Sequence, residues 1–413
     1  MKHFRPKRRA AQQHHWWQRS DLSFAGTDLY FDGHKVSDLA GWSDDPVFIY
    51  SARRAEANIQ RLHRAMKRQG LNGSILFAIK ANRFPPFLTT LAAGGLCGAD
   101  VCSPGEVKAA LAAGFAPERI SYTGTALSDS DVVFLARHPK VRVNLDSLSV
   151  LRRLGARCPG RRIGLRLNPE IGVGGSAKLT YAGSKPTKFG IYPEQLDDAL
   201  DIVAEHRLKI DTIHIHTGCG FLSDQLPKWE AGIRKALSLR ARFPHLVSFN
   251  VGGGLGVQHS VSWGQLDLNR WAERLADCFA GTGLELIVEP GDFIAKDAGL
   301  LILQVNSVEV KGGTRFASVN GGFNLAPEPA FYELPCEPVP CSAARAGAPE
   351  VVTIAGNINE ALDLWYEDVL LPPLAEGDLI ALLNAGAYAS SMSSNHCLRG
   401  RFEEVLTPAP LDG

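Results

Sequence analysis

The sequence SILFAIKANRFPPFLTTLAAGGLCGADVCSPG, residues 74–105, decides the fold. It opens on a short β-rich run (74–81), continues with a helical spacing of apolar residues (85–95), and ends on a second β-rich run (98–103). A strand, a helix and a second strand in this order predict two parallel strands joined by a right-handed crossover. These residues therefore predict one unit of an α/β fold.

The same alternation extends on both sides of this unit. VFIYS (47–51) precedes it as the first strand, and the last β-rich run is ELIVEPG (285–291). Between them lie about eight strand–helix units in about 245 residues, which fits a (β/α)8 TIM barrel better than an open, doubly wound sheet. We therefore predict a barrel over 47–295, with its chemistry at the carboxyl ends of the strands.

The pattern changes after residue 295. Runs such as LLILQVNSVEVKGGTRFASVNGG (300–322) and GDLIALLNAGAYAS (377–390) are β-rich and are separated by Gly, Pro, Asn and Asp. This pattern predicts a second, mostly antiparallel β domain over 296–413. FDGHKVSDLA (31–40) is also strand-like, so we expect residues 1–46 to supply a basic tail and a strand that joins this domain.

The composition excludes several classes of protein. The chain has 413 residues, of which 45% are hydrophobic and 21% charged, and this is not the composition of a disordered chain or a coiled coil. With 44 Lys and Arg against 43 Asp and Glu, we expect no nucleic-acid partner. No apolar run approaches the roughly 18–20 residues that cross a bilayer, so we expect no membrane partner. Eight cysteines without a Cys-x-x-Cys pair indicate reduced thiols in the cytoplasm and no metal site.

The first nineteen residues are the one local anomaly in charge. They contain six Lys or Arg, no acid, and the sequence HHWW at 14–17. No apolar segment follows them, so they are not a secretory signal. Two interpretations remain open: a solvated tail, or an arm that docks on a partner chain or an acidic carrier.

Four features at predicted strand ends fit one cofactor. Lys80 could form a Schiff base if burial lowered its pKa. VGGGLG (251–256) could bring backbone N–H groups to a phosphate. Glu289 could hold a pyridinium nitrogen protonated, and His216 could stack on a flat ring. Each feature is weak alone, but together they predict pyridoxal 5′-phosphate.

The order of several motifs strengthens this interpretation. The chain carries, in sequence order, FAIKAN (77–82), GADVCSPGE (98–106), KFGI (188–191), HIHTGCG (214–220), GGGLG (252–256), EPG (289–291), GNINEALD (356–363) and NAGAYASSM (384–392). With these motifs it resembles the fold type III pyridoxal-phosphate-dependent decarboxylases, which act on diaminopimelate, ornithine, arginine or carboxynorspermidine. The resemblance covers about residues 45–405 and implies a barrel of the alanine-racemase type.

The resemblance also implies roles for particular residues. Lys80 would bind the cofactor covalently, His216 would stack on its ring, and Glu289 would bind its nitrogen. The phosphate and the pocket wall would be formed by Gly252, Gly253, Gly254, Gly291, Tyr388, Asp100 and Arg166. The family further implies a head-to-tail homodimer with two shared sites, in which the segment 356–363 crosses into the partner's pocket.

Two departures from the family concern the substrate. Asp292 follows EPG where diaminopimelate decarboxylases have an arginine, and Glu328 in GGFNLAPEPAFY stands at the place of a second arginine, while Tyr332 is kept. Two acids would repel the carboxylate that these arginines hold. We therefore predict an amino acid with a cationic distal group, either free, conjugated or carrier-bound, rather than meso-diaminopimelate.

A third departure concerns the proton that returns to the α-carbon. The family's cysteine is replaced by Asn359, and the neighbouring Glu360 is kept and could bind a distal ammonium group. An amide is not a general acid near neutral pH. The proton must then come from Lys80, Tyr388, water or another group.

Four alternatives stay open beside a decarboxylase of cationic amino acids. They are a meso-diaminopimelate decarboxylase, a pyridoxal-phosphate-dependent racemase, an inactive regulatory homologue and a metal-dependent hydrolase. The racemase is disfavoured by the order of the EPG and GNINEALD motifs, and the inactive homologue by the intact Lys80 and glycines. The hydrolase is disfavoured because His214 and His216 have no carboxylate at a supporting spacing.

Overall fold

The computed structural model describes residues 15–41, 43–183 and 185–409. Within these ranges the chain forms a closed barrel, a second large sheet and a small amino-terminal sheet. No helix in the described ranges is both long and apolar enough to cross a membrane. Most of the basic amino-terminal segment lies outside the described residues.

The amino-terminal part of the described chain forms a small sheet of its own. Its elements are β1 (Leu22–Ala25), β2 (Asp28–Phe31), β3 (His34–Lys35) and the short helix α1 (Val36–Ala40). The segment 31–40 is therefore extended only at its start and helical at its end, contrary to expectation. The small sheet still contacts the second sheet, because the amide of Leu29 donates to the carbonyl of Cys341 at 2.9 Å.

Eight parallel strands form the closed barrel, and they follow β4 (Val47–Tyr50) in the chain. The barrel strands are β5 (Gly73–Ala78), β6 (Gly98–Val101), β7 (Ile120–Tyr122), β8 (Arg142–Leu145), β9 (Arg162–Arg166), β10 (Lys209–His214), β11 (Ser248–Asn250) and β12 (Glu285–Val288). The helices around them are α2 (Ala52–Arg68), α3 (Pro85–Gly94), α4 (Pro104–Ala113), α5 (Asp129–Ala136), α6 (Leu148–Arg157), α7 (Leu196–Glu205), α8 (Leu226–Leu237) and α9 (Leu268–Phe279). The barrel closes where β12 pairs with β5.

The second sheet follows the barrel and is mostly antiparallel, as predicted. Two short helices belong to this part of the chain: α10 (Asp292–Ala295) precedes the first strand of the sheet in sequence, and α11 (Glu328–Tyr332) follows the second. Its strands are β13 (Gly299–Lys311), β14 (Thr314–Val319), β15 (Pro338–Pro340), β16 (Glu350–Ala355), β17 (Leu364–Leu371), β18 (Leu379–Leu382) and β19 (Glu403–Leu406). The predicted fold class, a TIM barrel with a carboxyl-terminal β domain, is confirmed.

The position of β4 corrects one detail of the prediction. VFIYS was expected as the first barrel strand, but β4 pairs with β13 and β19 in the second sheet. All four of its residues are buried: Phe48 and Tyr50 pack into a core cluster that the barrel shares with the second sheet, and Val47 and Ile49 into a cluster between the second sheet and the amino-terminal sheet. A strand covered on both faces has the same apolar sequence as a buried parallel strand, so the pattern could not separate the two cases.

Candidate active site

A cavity of about 420 Å³ opens at the carboxyl ends of the barrel strands. Such strand ends converge at one edge of a barrel, so residues far apart in sequence meet there. Of the residues predicted from the sequence, the cavity brings together Lys80, Asp100, Arg166, His216, Gly253, Gly254, Glu289, Gly291, Asp292, Glu328, Tyr332 and Tyr388.

Lys80 and Asp100 form an ion pair at the ends of two adjacent strands. Lys80 lies in a turn directly after β5, and its Nζ donates to Oδ2 of Asp100, at the end of β6, over 2.7 Å. Burial lowers the pKa of Lys80, but the charge and hydrogen bond of Asp100 outweigh it and hold the pKa above its ordinary value. The expectation of a lowered lysine pKa was therefore wrong, because it did not foresee this partner.

Asp100 is the hydrogen-bond acceptor of the Lys80 ammonium. Burial and the nearby Glu289 carboxylate raise the pKa of Asp100 to about 7, although Lys80 opposes the rise. The ion pair therefore keeps Lys80 charged and fixes the position of its Nζ at the cavity wall.

Glu289, just after β12, is held ionised by a network of hydrogen bonds. Its Oε2 contacts Nε2 of His214 at 3.0 Å, and its Oε1 accepts from Asn250 at 2.6 Å and from Ser121 at 3.4 Å. Burial raises the pKa of Glu289, but His214, Lys80 and Asn250 outweigh it and bring it to about 2. Each carboxylate oxygen has two lone pairs, so Glu289 can accept one more hydrogen bond from the cavity.

His216 is a neutral ring fixed in one orientation. Its Nδ1 accepts from the amide of Gly253 at 3.3 Å, its Nε2 lies 3.5 Å from Sγ of Cys219, and its ring stacks on Tyr181 at 5.2 Å. Burial and the nearby charge of Arg166 lower its pKa well below the ordinary value. The ring is therefore an uncharged, flat surface at the cavity wall.

The glycine segment 252–254 follows β11 in a turn that leaves no room for side chains. Gly252 and Gly254 have φ values of 71° and 93°, a region that glycine adopts without strain. A Cβ on Gly253 would lie 2.2 Å from the carbonyl oxygen of Glu289. Gly253 and Gly254 line the cavity together with Tyr388, whereas Gly252 lies behind them and donates to Asn250.

Arg166, at the end of β9, brings a positive charge into the cavity. Its guanidinium lies 4.7 Å from the centre of the Phe189 ring, a cation–π arrangement. No acid in the described part of the chain forms an ion pair with it, although the side chain is only 7% exposed. It is therefore available to an anionic group in the cavity.

Asp292 and Glu328 form one side of the cavity, which we call the acidic wall. Both are buried, and Lys296 lies behind them, completely inaccessible to solvent. Nζ of Lys296 donates to Oε2 of Glu328 and to the carbonyl of Ala387 at 3.1 Å, and it lies 3.3 Å from Oδ1 of Asp292. The acids thus have a counter-ion within the protein, which the sequence analysis did not identify.

Asn359 and Glu360 do not line the cavity of their own chain. Both are exposed residues of the segment 356–363, and Oε1 of Glu360 is 3.3 Å from Nε2 of His396. Their predicted roles concern the cavity of a second chain and remain predictions.

The structure adds site residues that the sequence analysis missed. Tyr181, Phe189 and Cys219 line the cavity, and His214 supports Glu289. His214 could have been found, since residues two apart on a strand point to the same face. Lys296 could have been found as well, because it stands four residues after Asp292, which is ion-pair spacing on a helix.

These residues fit pyridoxal 5′-phosphate. Lys80 offers an amine for its aldehyde, and the ionised Glu289 can accept a hydrogen bond from its ring nitrogen. Gly253 and Gly254 line the cavity with bare backbone, so a phosphate can approach it closely. His216 offers a flat neutral face for the ring.

Comparison with known proteins agrees with this fit. Residues 56–296 match the model of the pyridoxal binding domain of pyridoxal-dependent decarboxylases. The diaminopimelate decarboxylases of Methanothermobacter thermautotrophicus and Escherichia coli are each 32% identical, over 92% and 93% of this chain and 90% and 94% of their own. A diaminopimelate decarboxylase structure from M. jannaschii, in complex with L-lysine, superposes with a TM-score of 0.85 at 25% identity, over 94% of this chain and 93% of that chain.

We predict that Gly253→Ala weakens cofactor binding at least tenfold. The new Cβ would lie 2.2 Å from the Glu289 carbonyl oxygen, so the cavity must distort around it. Titration of the apoprotein with pyridoxal 5′-phosphate, followed by absorbance, measures the loss. Gly264→Ala is the matched control, because a Cβ there meets no atom within 4 Å. Equal affinities in the two variants would contradict the assigned phosphate site.

Proposed function

The chain belongs to the pyridoxal-dependent decarboxylases, and on that premise we propose that it decarboxylates an α-amino acid with a positively charged distal group. The cofactor, pyridoxal 5′-phosphate, and the class of reaction follow from the family. The distal group of the substrate is the part that we propose.

Lys80 and Asp100 would prepare and hold the cofactor. Nζ of Lys80 must lose a proton before it can bond to a carbonyl carbon, and Oδ2 of Asp100, 2.7 Å away, would orient it by accepting its hydrogen bond. When bound, pyridoxal 5′-phosphate supplies the electron sink for the electron pair that remains as CO2 leaves.

Three further groups would orient the cofactor. Glu289 would keep a proton on the ring nitrogen, because its own pKa of about 2 leaves it ionised at neutral pH. His216 would pack against the ring, and the glycine segment with Tyr388 would bind the phosphate. We assign the returning proton to Lys80, since Nζ opens into the cavity and Asn359 has no acidic proton.

The acidic wall carries the proposal about the substrate. The carboxylates of Asp292 and Glu328 face a single cation, the Lys296 ammonium group. When both carboxylates are ionised, the wall therefore keeps one net negative charge. Lys296 donates to Glu328 and to the carbonyl of Ala387 and does not line the cavity, so it cannot donate to a ligand there. A distal carboxylate at this wall would therefore meet acids without a free cation, whereas a distal ammonium would complete the charge balance.

Arg166 supports a second candidate, meso-diaminopimelate. Its unpaired guanidinium could hold a distal carboxylate away from the acidic wall, and the similar proteins described above are named for that substrate. The two candidates differ in the part of the cavity that binds the distal group: the acidic wall for a cationic substrate, and Arg166 for meso-diaminopimelate.

We predict that a cationic amino acid is used with at least tenfold higher kcat/KM than meso-diaminopimelate. A charge-assisted hydrogen bond contributes about 1.5–3 kcal/mol, or roughly ten- to a hundredfold. CO2 release from lysine, ornithine and arginine, in both enantiomers, and from meso-diaminopimelate measures the preference.

A substitution in the acidic wall tests whether the wall causes this preference. Asp292→Asn should lower kcat/KM about tenfold for the preferred cationic substrate and leave its uncharged analogue unchanged. Asp211→Asn is the matched control, because Asp211 pairs with Arg162 outside the cavity. Faster turnover of meso-diaminopimelate than of every cationic candidate would overturn the proposal in favour of the alternative.

We also propose that the active unit is a homodimer with shared sites. Segment 356–363 stands where the family crosses into the partner's cavity. Around it, Phe331, Leu362 and Leu398 are 47%, 46% and 83% exposed, and Phe323 packs between Phe331 and His396. Large apolar side chains exposed together favour an interface with another chain.

We predict that Lys80→Ala and Glu360→Ala subunits, each inactive alone, regain activity when mixed. A heterodimer would contain one intact site, so random exchange restores about a quarter of the wild-type activity. In the control, Lys80→Ala subunits are mixed with the Lys80→Ala/Glu360→Ala double variant. This mixture contains no Lys80 and can form no intact site. Activity in Glu360→Ala alone, or no recovery after subunit exchange is verified, would count against shared sites.

A further inference from the structure

Lys296 is a completely buried cation that lies behind the acidic wall. It follows α10 and stands one helical turn after Asp292, and its Nζ is surrounded by Glu328, Asp292 and the carbonyl of Ala387. It does not line the cavity, so no substrate touches it. Burying an ammonium is costly unless opposite charges and hydrogen-bond acceptors surround it, and here both opposite charges come from the acidic wall.

The acids depend on Lys296 as much as Lys296 depends on them. Asp292 and Glu328 are 8% and 6% exposed, and two carboxylates cannot stay ionised side by side in such a place without a cation. Of the cations that line the cavity in the described chain, Lys80 pairs with Asp100, and Arg166 stacks on Phe189. Lys296 is thus the counter-ion of the acidic wall.

Lys296 also connects the acidic wall to the predicted phosphate site. Its Nζ lies 5.6 Å from the centre of the Tyr388 ring and donates to the carbonyl of Ala387, the residue before Tyr388, at 3.1 Å. Removing the side chain would therefore disturb both the charge of the wall and the turn that carries Tyr388.

We propose that Lys296 is a positioning residue that holds the acidic wall together and sets the charge presented to the substrate's distal group. This inference rests on the proposed function only where it concerns the cationic substrate. The pairing of Lys296 with Glu328 is independent of any substrate.

Glu328 is the member of the wall whose charge responds to Lys296 near neutral pH. Burial raises the pKa of Glu328 to about 7, with Asp292 adding to the rise and Lys296 opposing it. A pKa near 7 means that small changes in the surrounding charge alter its ionisation.

Four other groups around the wall have pKa values far from 7. Burial raises the pKa of Cys219 and of Cys336 to about 12 and that of Tyr388 well above its ordinary value, and it lowers the pKa of His259 to about 4. Burial also lowers the pKa of Lys296 itself, but the two acids outweigh it, so the ammonium persists. Tyr332 completes the group of titratable neighbours. Asp100 also titrates near 7, but it contacts Lys80 rather than the wall.

The sign of the pH dependence follows from these charges. A cationic substrate binds best when Glu328 is ionised, so its kcat/KM should rise about tenfold in all as the pH passes through 7 and then level off. Without Lys296, Glu328 loses its opposing charge and its pKa rises. The levelling-off should then move to higher pH by roughly one to three units.

The first experiment needs no substrate. The infrared carbonyl band of protonated Glu328, obtained by difference from Glu328→Gln, is titrated in wild-type holoenzyme and in Lys296→Met. We expect a midpoint near 7 in the wild type and at least one pH unit higher in the variant. Lys235→Met, which removes an exposed lysine paired with Glu170, should leave the midpoint unchanged. An unchanged midpoint in Lys296→Met would overturn the proposal.

The second experiment tests the link to the substrate. In Lys296→Met, the pH profile of kcat/KM for the preferred cationic amino acid should shift to higher pH. In Glu328→Gln, the profile should lose the inflection that comes from ionisation of Glu328. If the infrared midpoint shifts but no cationic amino acid is used, the proposed substrate fails and the role of Lys296 stands. If cationic substrates are used but neither midpoint nor profile shifts, the role of Lys296 fails alone.

A double variant covers the case in which Lys296→Met does not fold. Lys296→Met/Glu328→Gln removes both charges of the buried pair, so it should fold if Lys296 acts as a counter-ion. Failure of both variants to fold would show that the side chain is needed for packing, and this would overturn the proposal.

Discussion

The closure of the barrel is the constraint on which the site depends. β12 and β5 are the last and first barrel strands, and their pairing places Leu286 opposite Gly73 and Val288 opposite Ile75. Only this closure makes neighbours of the residues that follow the two strands, Lys80 and Glu289. The remaining strands arrive in sequence order, and four of them, β6, β9, β10 and β11, add groups to the same rim: Asp100, Arg166, His216 and the glycine segment.

Much of this arrangement could be predicted because the relevant information is local. Lys80, His216 and Glu289 each stand directly after a β-rich run, and the barrel then dictates that they meet. β4 was misplaced because burial on both faces removes the alternation that distinguishes sheet environments. The charge state of Lys80 was misjudged because it depends on Asp100, which becomes its neighbour only through strand pairing. Asn359 and Glu360 differ again, since their predicted surroundings belong to another chain.

The electrostatics of the cavity show two ways of keeping charge in a buried place. Glu289 is stabilised by neutral donors and by His214, so it stays ionised without a full cation in contact. The acidic wall instead uses a full cation, Lys296, placed on the side away from the cavity. The first arrangement fixes a charge permanently, whereas the second leaves one carboxylate close to its titration point. A rigid charge suits the binding of a cofactor, and an adjustable one suits a group that must accept and release a substrate.

The shared strand β4 has a consequence for how the chain folds. Two of its side chains belong to the core cluster that the barrel shares with the second sheet, and two to the cluster between the second sheet and the amino-terminal sheet. Both of its hydrogen-bonding partners, β13 and β19, come after the whole barrel in sequence. During synthesis at about 5–20 residues per second, this apolar strand remains unpaired for on the order of tens of seconds before its first partner, β13, is synthesised. The barrel cannot complete its core as an independent unit in that time, since Phe48 and Tyr50 are held in place by the later strands. The two halves should therefore melt in one cooperative transition, and the nascent chain should need protection from aggregation until β13 emerges.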